Sequence, residues 1–382
     1  MARKNIAVLD FGSSRVSVMI GDRGINNTFD IRGYAEINYA GYLEGEFLEP
    51  ENLIKDVQQV LALAENNARC KITHLYIGVP AEFSFVKVKK VELDFEGRHK
   101  INDRDIADLF DSADVQEAGH TIINRAPIYY VLDDGYKIIK PKGKITESIS
   151  GLISFVMCQN SFLEKVKSIF SALHISHIEF FSEQLCEALY LVEPEQRDNC
   201  AILVDTGFLS SSVSVIMGDG LLNLHSFSLG TGHIIADFCD TFNITAHQAK
   251  EILKDISLLD RKEEIFEIQN GSSNIQISSL QLYEIVEARV QEIANMIKKC
   301  LSLNENIPKY LPILLTGGGV CQIEGATNII SEITDKDVQI VAINDPRLNE
   351  PKLAPILSLL DLALKQNKQS LGLFFIRLFK KN

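Results

Sequence analysis

The sequence predicts an α/β protein of two similar halves with a cleft between them, and three observations predict it. A short passage occurs twice: Ile6 to Asp22 reads IAVLDFGSSRVSVMIGD, and Ala201 to Asp219 reads AILVDTGFLSSSVSVIMGD. Both runs are apolar and β-branched, broken by Gly and Ser, which is the pattern of a β-hairpin. A third run, Tyr310 to Gly319, is a short apolar strand ending in three glycines, with a helix expected from Gln322. Finally, 382 residues at 46% hydrophobic content suffice for two domains with real cores.

The repeat has a chemical use. Asp10 matches Asp205 at an offset of 195, whereas Val16-Ser17-Val18 matches Val213-Ser214-Val215 at 197, so the second turn is expected to be two residues longer. A glycine turn exposes backbone N–H groups that can cradle phosphate. Gly12 and Gly207 supply such turns, and the hydroxyls of Ser13 and Ser14 add donors. Arg15 can neutralise phosphate charge with a fixed donor fork. Asp10 and Asp205, one from each half, can hold a hydrated Mg²⁺ between them. Each hairpin alone also reads as ordinary turn chemistry; their recurrence points to a nucleotide clamp. Gly317 and Gly318 end the third strand, where a nucleoside or phosphate is favoured. Ser228-Leu229-Gly230-Thr231-Gly232 is a fourth glycine element before a helix.

These elements resemble the actin-like ATPase superfamily: the two hairpins look like its phosphate loops, and Leu314-Leu315-Thr316-Gly317-Gly318-Gly319 looks like its adenosine loop. Within it the chain is most similar to the FtsA family of bacterial cell-division proteins. FSLGTGHIIADFCDTFNITAHQAKEILK, LYEIVEARVQEIANMIKKCL and an amphipathic C-terminus carry that narrower likeness. The resemblance implies an actin-like two-domain fold, ATP with Mg²⁺ in the cleft, filament formation, and tethering of FtsZ through its C-terminal peptide. It also implies contact with other division proteins and residence on the inner face of the cell membrane at mid-cell. Glu251 and Lys254 resemble the pair that touches ribose and adenine; they also read as an i,i+3 ion pair on a solvated helix. Gln184 stands near the place where a glutamine positions the attacking water, which makes Gln184 and Asp205 the catalytic candidates; a solvent-facing helix glutamine is the other reading. Arg289 lies on a helix that in the family helps bind FtsZ, or is simply solvated. One departure concerns turnover. The second phosphate loop of the superfamily reads Asp-x-Gly-x-Gly-Thr, and here Leu209 takes the second glycine's place. A side chain there crowds an approaching phosphate, so ATP binding with weak or absent hydrolysis is expected.

The predicted organisation follows the repeats. Residues 1–83 and 162–198 form the first domain, and 84–161 a β-rich inserted subdomain in which Asn102 or Asp103 caps a helix. Residues 199–242 and 311–358 form the second domain, with a helical insert at 243–310 that contains a polar loop at Gln269–Ser273. Residues 359–382 are a loose linker and an amphipathic helix.

That helix carries Leu371, Phe374, Phe375, Leu378 and Phe379 on one face, with Arg377, Lys380 and Lys381 toward the other. From Lys365 to Asn382 there are five basic residues and no acids, which leaves −18 on the rest of a chain whose net charge is −13. An apolar face beside a basic flank suits an anionic membrane; a terminal helix docked on the body is the alternative. The acidic body argues against a general nucleic-acid binder. Seven scattered cysteines without a CxxC pair read as free thiols in a reducing compartment. The start lacks a secretory signal, and no apolar run reaches the ~18 residues of a spanning helix. A metal site built by His and Cys is not expected. Besides the division scaffold, two classes share this fold: an adaptor for another membrane assembly such as a type IV pilus platform, and a small-molecule kinase or chaperone-type ATPase. The tail and the lack of a large substrate domain weigh against the last.

Overall fold

The computed structural model describes residues 6–24, 28–270, 273–304, 307–343 and 348–369. Chain order in the first half is β1 (Ile6–Phe11), β2 (Arg15–Arg23), β3 (Phe29–Asn38), a small β4–β5 hairpin (Tyr42–Leu43 and Glu46–Phe47), α1 (Leu53–Ala68) and β6 (His74–Val79). A four-stranded unit follows: β7 (Ser84–Lys100), α2 (Asp103–Asp111), β8 (His120–Leu132), β9 (Lys137–Ile138) and β10 (Ile145–Gln159), in spatial order β7-β10-β8-β9. Asn102 caps α2, its side chain accepting from the N–H groups of Arg104 and Asp105. The chain returns through α3 (Asn160–Ala172), β11 (His177–Ser182), α4 (Glu183–Leu191) and the short α5 (Pro194–Asp198).

The second half repeats the first. It contains β12 (Ala201–Thr206), β13 (Ser211–Met217), β14 (Gly220–Phe227), α6 (Thr231–Phe242), α7 (Ala246–Asp255), β15 (Ile265–Asn270), β16 (Ser273–Ser278), α8 (Ser279–Ser302), β17 (Ile313–Thr316), α9 (Ala326–Thr334) and β18 (Val338–Ile340). The two five-stranded sheets run β11-β6-β1-β2-β3 and β18-β17-β12-β13-β14. In each, the strand that opens the half pairs antiparallel with its hairpin partner and parallel with a strand from beyond the first helix.

The register corrects one expectation. Asp10 pairs with Ser17 and Asp205 with Ser212; Phe11 pairs with Val16 and Thr206 with Ser211. Both hairpins therefore align at the single offset of 195, and the second turn is not longer. The Val-Ser-Val match at 197 is displaced by one strand period, which keeps every side chain on its proper face and so looks equally good in sequence.

Two other expectations change. Ile265–Asn270 and Ser273–Ser278 are paired antiparallel strands, not helix and loop; Phe266 lies opposite Ile277 and Ile268 opposite Ile275. Residues 359–369 are not a linker but the greater part of α10 (Ala354–Gln369), which packs on the first half. Ile356, Leu357, Leu359, Leu360, Ala363 and Leu364 are buried against Val8, Met19, Tyr76 and Phe181. Asp361, buried in the same face, is ion-paired to Arg23 at 2.6 Å and to Lys365 at 2.7 Å. Leu371, Phe374, Phe375, Arg377, Leu378, Phe379 and Lys380 lie outside the described residues. Among the described residues, no helix is long and apolar enough to cross a membrane.

If α10 completes the first core, Leu360→Ala should destabilise the protein by about 2–5 kcal/mol. Urea unfolding followed by circular dichroism checks this; a midpoint equal to that of the unmodified chain would contradict it.

Candidate functional site

A cleft of about 510 Å³ opens where the two hairpin turns meet. Its floor is made by the ends of β1 and β12, which deliver Asp10 and Asp205, and by the turns Gly12–Arg15 and Gly207–Ser210. The turns touch: the Leu209 N–H donates to Ser13 Oγ at 3.0 Å. Leu209 is not among the residues that line the cleft, so the crowding expected from its side chain is not seen; Phe208 lines it instead. Gly12, Ser13, Ser14 and Arg15 line the first side, and Gly207 and Ser210 the second.

The other glycine elements serve close approach between loops. Gly317 has φ +94°, and a Cβ there would lie 2.0 Å from Asp205 Oδ1, so only glycine fits. Gly319 N–H donates to Thr206 O at 2.6 Å. At the start of α6, Thr231 N–H donates to Gly207 O (3.3 Å) and Gly232 N–H to Phe208 O (2.7 Å). A Cβ on Gly230 would meet Gly207 O at 2.4 Å. Gly230 thus braces the floor without lining it, whereas Gly318 and Gly319 of the triple glycine both line the cleft, Gly318 beside Lys352 and Arg15.

The far walls hold the charged residues. Lys250, Leu253 and Lys254 of α7 face Gln322 and Ile323. Lys250 Nζ sits 4.9 Å from the Phe208 ring centre. Lys254 is paired with Glu251 at 2.6 Å; Glu251 points away from the lining. Arg15 reaches Glu36 at 3.3 Å, and Glu36 also accepts from Tyr34 OH at 2.6 Å. Lys352, Pro355 and Ile356 close the opposite side.

The sequence reading missed two carboxylates. Glu183 and Glu187 are one turn apart on α4 and 5% and 0% exposed. Glu183 lines the cleft and hydrogen-bonds Asp10; its side chain occupies the space a Cβ on Gly78 would take. Asp10 also accepts from Ser17 Oγ at 3.2 Å. Burial raises all four carboxylates above their usual range. Repulsion from the other acids adds to this for Glu183, Glu187 and Asp205, whereas Asp10 is drawn back by its bonds to Glu183 and Ser17 and by Arg15 and raised further by Glu36. Glu183 and Glu187 are pushed well up, Asp10 is raised, and Asp205 is pushed up to about 7 by burial and then by Asp10. Gln184, the expected water-positioner, is 3% exposed and does not line the cleft; it is not a solvent-facing helix residue either. Arg289 stands outside the cleft. Its guanidinium takes Asp237 with two bonds, at 2.6 and 2.9 Å, and Glu292 at 2.6 Å. The signal for Glu183 and Glu187 was present: two acids four residues apart on the otherwise apolar helix EQLCEALYL.

The donor set fits a hydrated hard cation. Glu183 Oε1 and both oxygens of Glu187 have no hydrogen-bond partner. Among the described residues, no three His, Cys, Asp or Glu groups are placed to ligate a metal directly. A cation such as Mg²⁺, which keeps its waters, matches that arrangement. The cleft volume suits a nucleotide-sized ligand.

No protein-family model matches the chain. It is 21% identical to the cell division protein FtsA of Enterococcus faecalis over 379 residues, spanning 96% of this chain and 85% of that protein. It is 22% identical to FtsA of Neisseria meningitidis over 390 residues (95% and 91%), and 20% identical to FtsA of Escherichia coli over 361 residues (89% and 84%). Among solved structures, a chain of the PilM–PilN type IV pilus biogenesis complex superposes with a TM-score of 0.63 at 13% identity, covering 95% of this chain and 99% of that one. MreB5 of Spiroplasma citri bound to ADP gives 0.56 at 12% identity, covering 96% and 98%. The fold is that of the actin-like ATPases, and the curated relatives are cell-division proteins.

The carboxylates make stability pH-dependent. Asp205 titrates near 3.8 when unfolded and at about 7 when folded. The folded protein therefore retains a proton that the unfolded chain loses. This contribution is fully present below about pH 4 and is lost as pH rises through about 7. In EDTA, calorimetry should give a lower Tm at about pH 8 than at about pH 6, and Asp205→Asn should narrow the gap. A Tm that rises over this interval would rule it out.

Proposed function

We propose that the chain is an FtsA-type scaffold that binds ATP with Mg²⁺ in the cleft, assembles into filaments on the inner membrane, and tethers the tubulin-like division protein FtsZ. The observation that carries the nucleotide reading is the meeting of the two hairpin turns with an acidic floor. Asp10, Gly12, Ser13, Ser14 and Arg15 hold phosphate from one side. Asp205 and Gly207 act from the other, Asp205 through the cation's water. Gly318 and Lys254 meet the nucleoside. Glu251 serves by holding Lys254, and Gly230 and Gly317 by bracing the loops. Mg²⁺ supplies charge neutralisation to the phosphates. Glu183, facing the cleft, takes the role first assigned to Gln184, that of orienting a water. Because it favours its neutral form, little of it is ionised and available as a base at neutral pH, which fits slow turnover.

The division role rests on the FtsA relatives, which span nearly the whole chain. The basic apolar tail supports membrane residence: each apolar side chain is worth up to roughly 1.5–3 kcal/mol if fully buried, and each cation about 1 kcal/mol near anionic lipid. Arg289 is the position proposed for partner contact, and an acidic peptide would have to compete with Asp237 for it. The pilus-complex structure at TM-score 0.63 favours a second reading, a platform for another membrane assembly. A fluorescent fusion separates the two: a mid-cell ring supports division, and foci elsewhere support the platform.

Two measurements test the parts. Calorimetry should show Mg²⁺-dependent ATP binding that Asp10→Ala weakens at least about tenfold, or ~1.4 kcal/mol; no binding at millimolar ATP refutes the nucleotide reading. Deleting residues 370–382, which leaves α10 whole, should abolish sedimentation with anionic liposomes. If the shortened protein still pellets with them, the tail is not the anchor.

A further inference from the structure

We propose that Glu187 is an additional holder of the hydrated divalent cation, beside Asp10, Asp205 and Glu183, and that together they bind the cation in the absence of nucleotide. The inference rests on reading the cleft as a nucleotide–cation site. Glu187 is completely buried, and neither of its oxygens has a hydrogen-bond partner. A buried carboxylate with no partner is costly unless something compensates it. α4 presents Glu187 on the same face as Glu183, and the charges that act on it are those of Asp205 on β12 and Asp10 on β1. The cleft's cations are largely engaged elsewhere: Arg15 acts on Asp10 but is also held by Glu36, Lys254 is paired with Glu251, Lys352 with Glu350, and Lys250 sits over the Phe208 ring.

The other titratable neighbours are two thiols, buried Cys186 and half-buried Cys321, and the hydroxyls of Tyr39 and Tyr42, which feel Glu183. The tyrosines are pushed up and stay uncharged, and none of the four neutralises the cluster. Cys186 on α4 feels both glutamates, and Cys321 beyond the triple glycine feels Asp205 and Glu187; both are pushed up and stay uncharged. Burial also drives Glu187 itself toward its neutral form, so the assignment requires the cation to hold it ionised. Asp10, Asp205 and Glu183 line the cleft, and Glu187 lies buried one turn from Glu183 without lining it. Since no three acids among the described residues are placed to ligate a metal, a cation held by this set would keep its waters, with the unpartnered oxygens of Glu183 and Glu187 accepting from them. Such a set attracts the cation before any phosphate arrives.

The test uses the full chain, stripped of nucleotide and metal, with Mn²⁺ as probe. Electron paramagnetic resonance should show wild-type protein binding one Mn²⁺ without nucleotide, and Glu187→Gln should weaken this at least about tenfold, as loss of an outer-shell partner does. In EDTA, Glu187→Gln should melt above wild type, since an uncompensated acid is replaced by an isosteric amide; a carboxylate with only a structural role would melt lower on replacement. Coincident Mn²⁺ curves for the two proteins, or no Mn²⁺ uptake by wild type without nucleotide, overturn the assignment. Mg·ATP binding in the same preparations separates the two readings. If both proteins bind Mg·ATP equally and the Mn²⁺ curves coincide, Glu187 is excluded and the nucleotide reading stands. If Mn²⁺ uptake depends on Glu187 but no ATP binds, the nucleotide reading fails and the cation site stands. If the glutamine variant does not fold, Glu187→Asp replaces it: withdrawing the carboxylate by one methylene should weaken Mn²⁺ by about threefold or more, and an unchanged affinity overturns the assignment.

Discussion

The carbonyls of Thr206, Gly207 and Phe208 hold the centre of this protein together. They receive the N–H groups of Gly319, Thr231 and Gly232, so the third strand's glycine loop and the start of α6 both lean on the second hairpin turn. That turn in turn bonds the first through Leu209 and Ser13. These contacts are backbone to backbone or nearly so, at distances that exclude a Cβ. The shape of the cleft therefore depends less on the side chains that line it than on the places where side chains are missing.

Packing the strand ends this closely has an electrostatic consequence. β1 and β12 each carry an aspartate as their next-to-last residue, and bringing the turns together brings those acids together near α4, which adds two more. Bulk water cannot disperse the repulsion in a partly closed cleft. The structure offsets some of it with protons, as the raised carboxylates show. In the proposed site, the same charges that weaken the empty protein at neutral pH would supply the attraction for a cation. Stability and function here draw on one set of residues.

Much of this was legible in the chain. The repeated Asp-x-Gly hairpin, the strand running into Gly317, and the cap at Asn102 each state a local requirement that the structure meets. What was not legible involves partners far apart in sequence. DLALKQNKQS looks polar because its acid, Asp361, meets Arg23 some 338 residues away inside a shared core. The Val-Ser-Val match misled because a strand shifted by two residues presents the same faces. The pairing of β15 with β16 was legible after all: Ile275 and Ile277 alternate with polar residues after an Asn-Gly dipeptide, and the neighbouring helical pattern masked them. Glu187 is the clearest case. A glutamate on a helix is ordinary, and only the burial of that helix beneath two aspartates gives it a chemical meaning.

The position of α10 also bears on how the protein comes into being. Its apolar face fills the first half's core against β1, β2 and β6, yet it is made after every strand of the second half. Until it arrives, Val8, Met19, Tyr76 and Phe181 lack the surface that covers them. The first half made is thus the last half finished, and the second half must fold while its elder twin waits with an open apolar face. Such contacts between distant parts of a chain form slowly and leave nascent chains prone to association. A product that stopped before Ala354 would leave that face exposed, so the first half is sealed only in a chain that extends through α10.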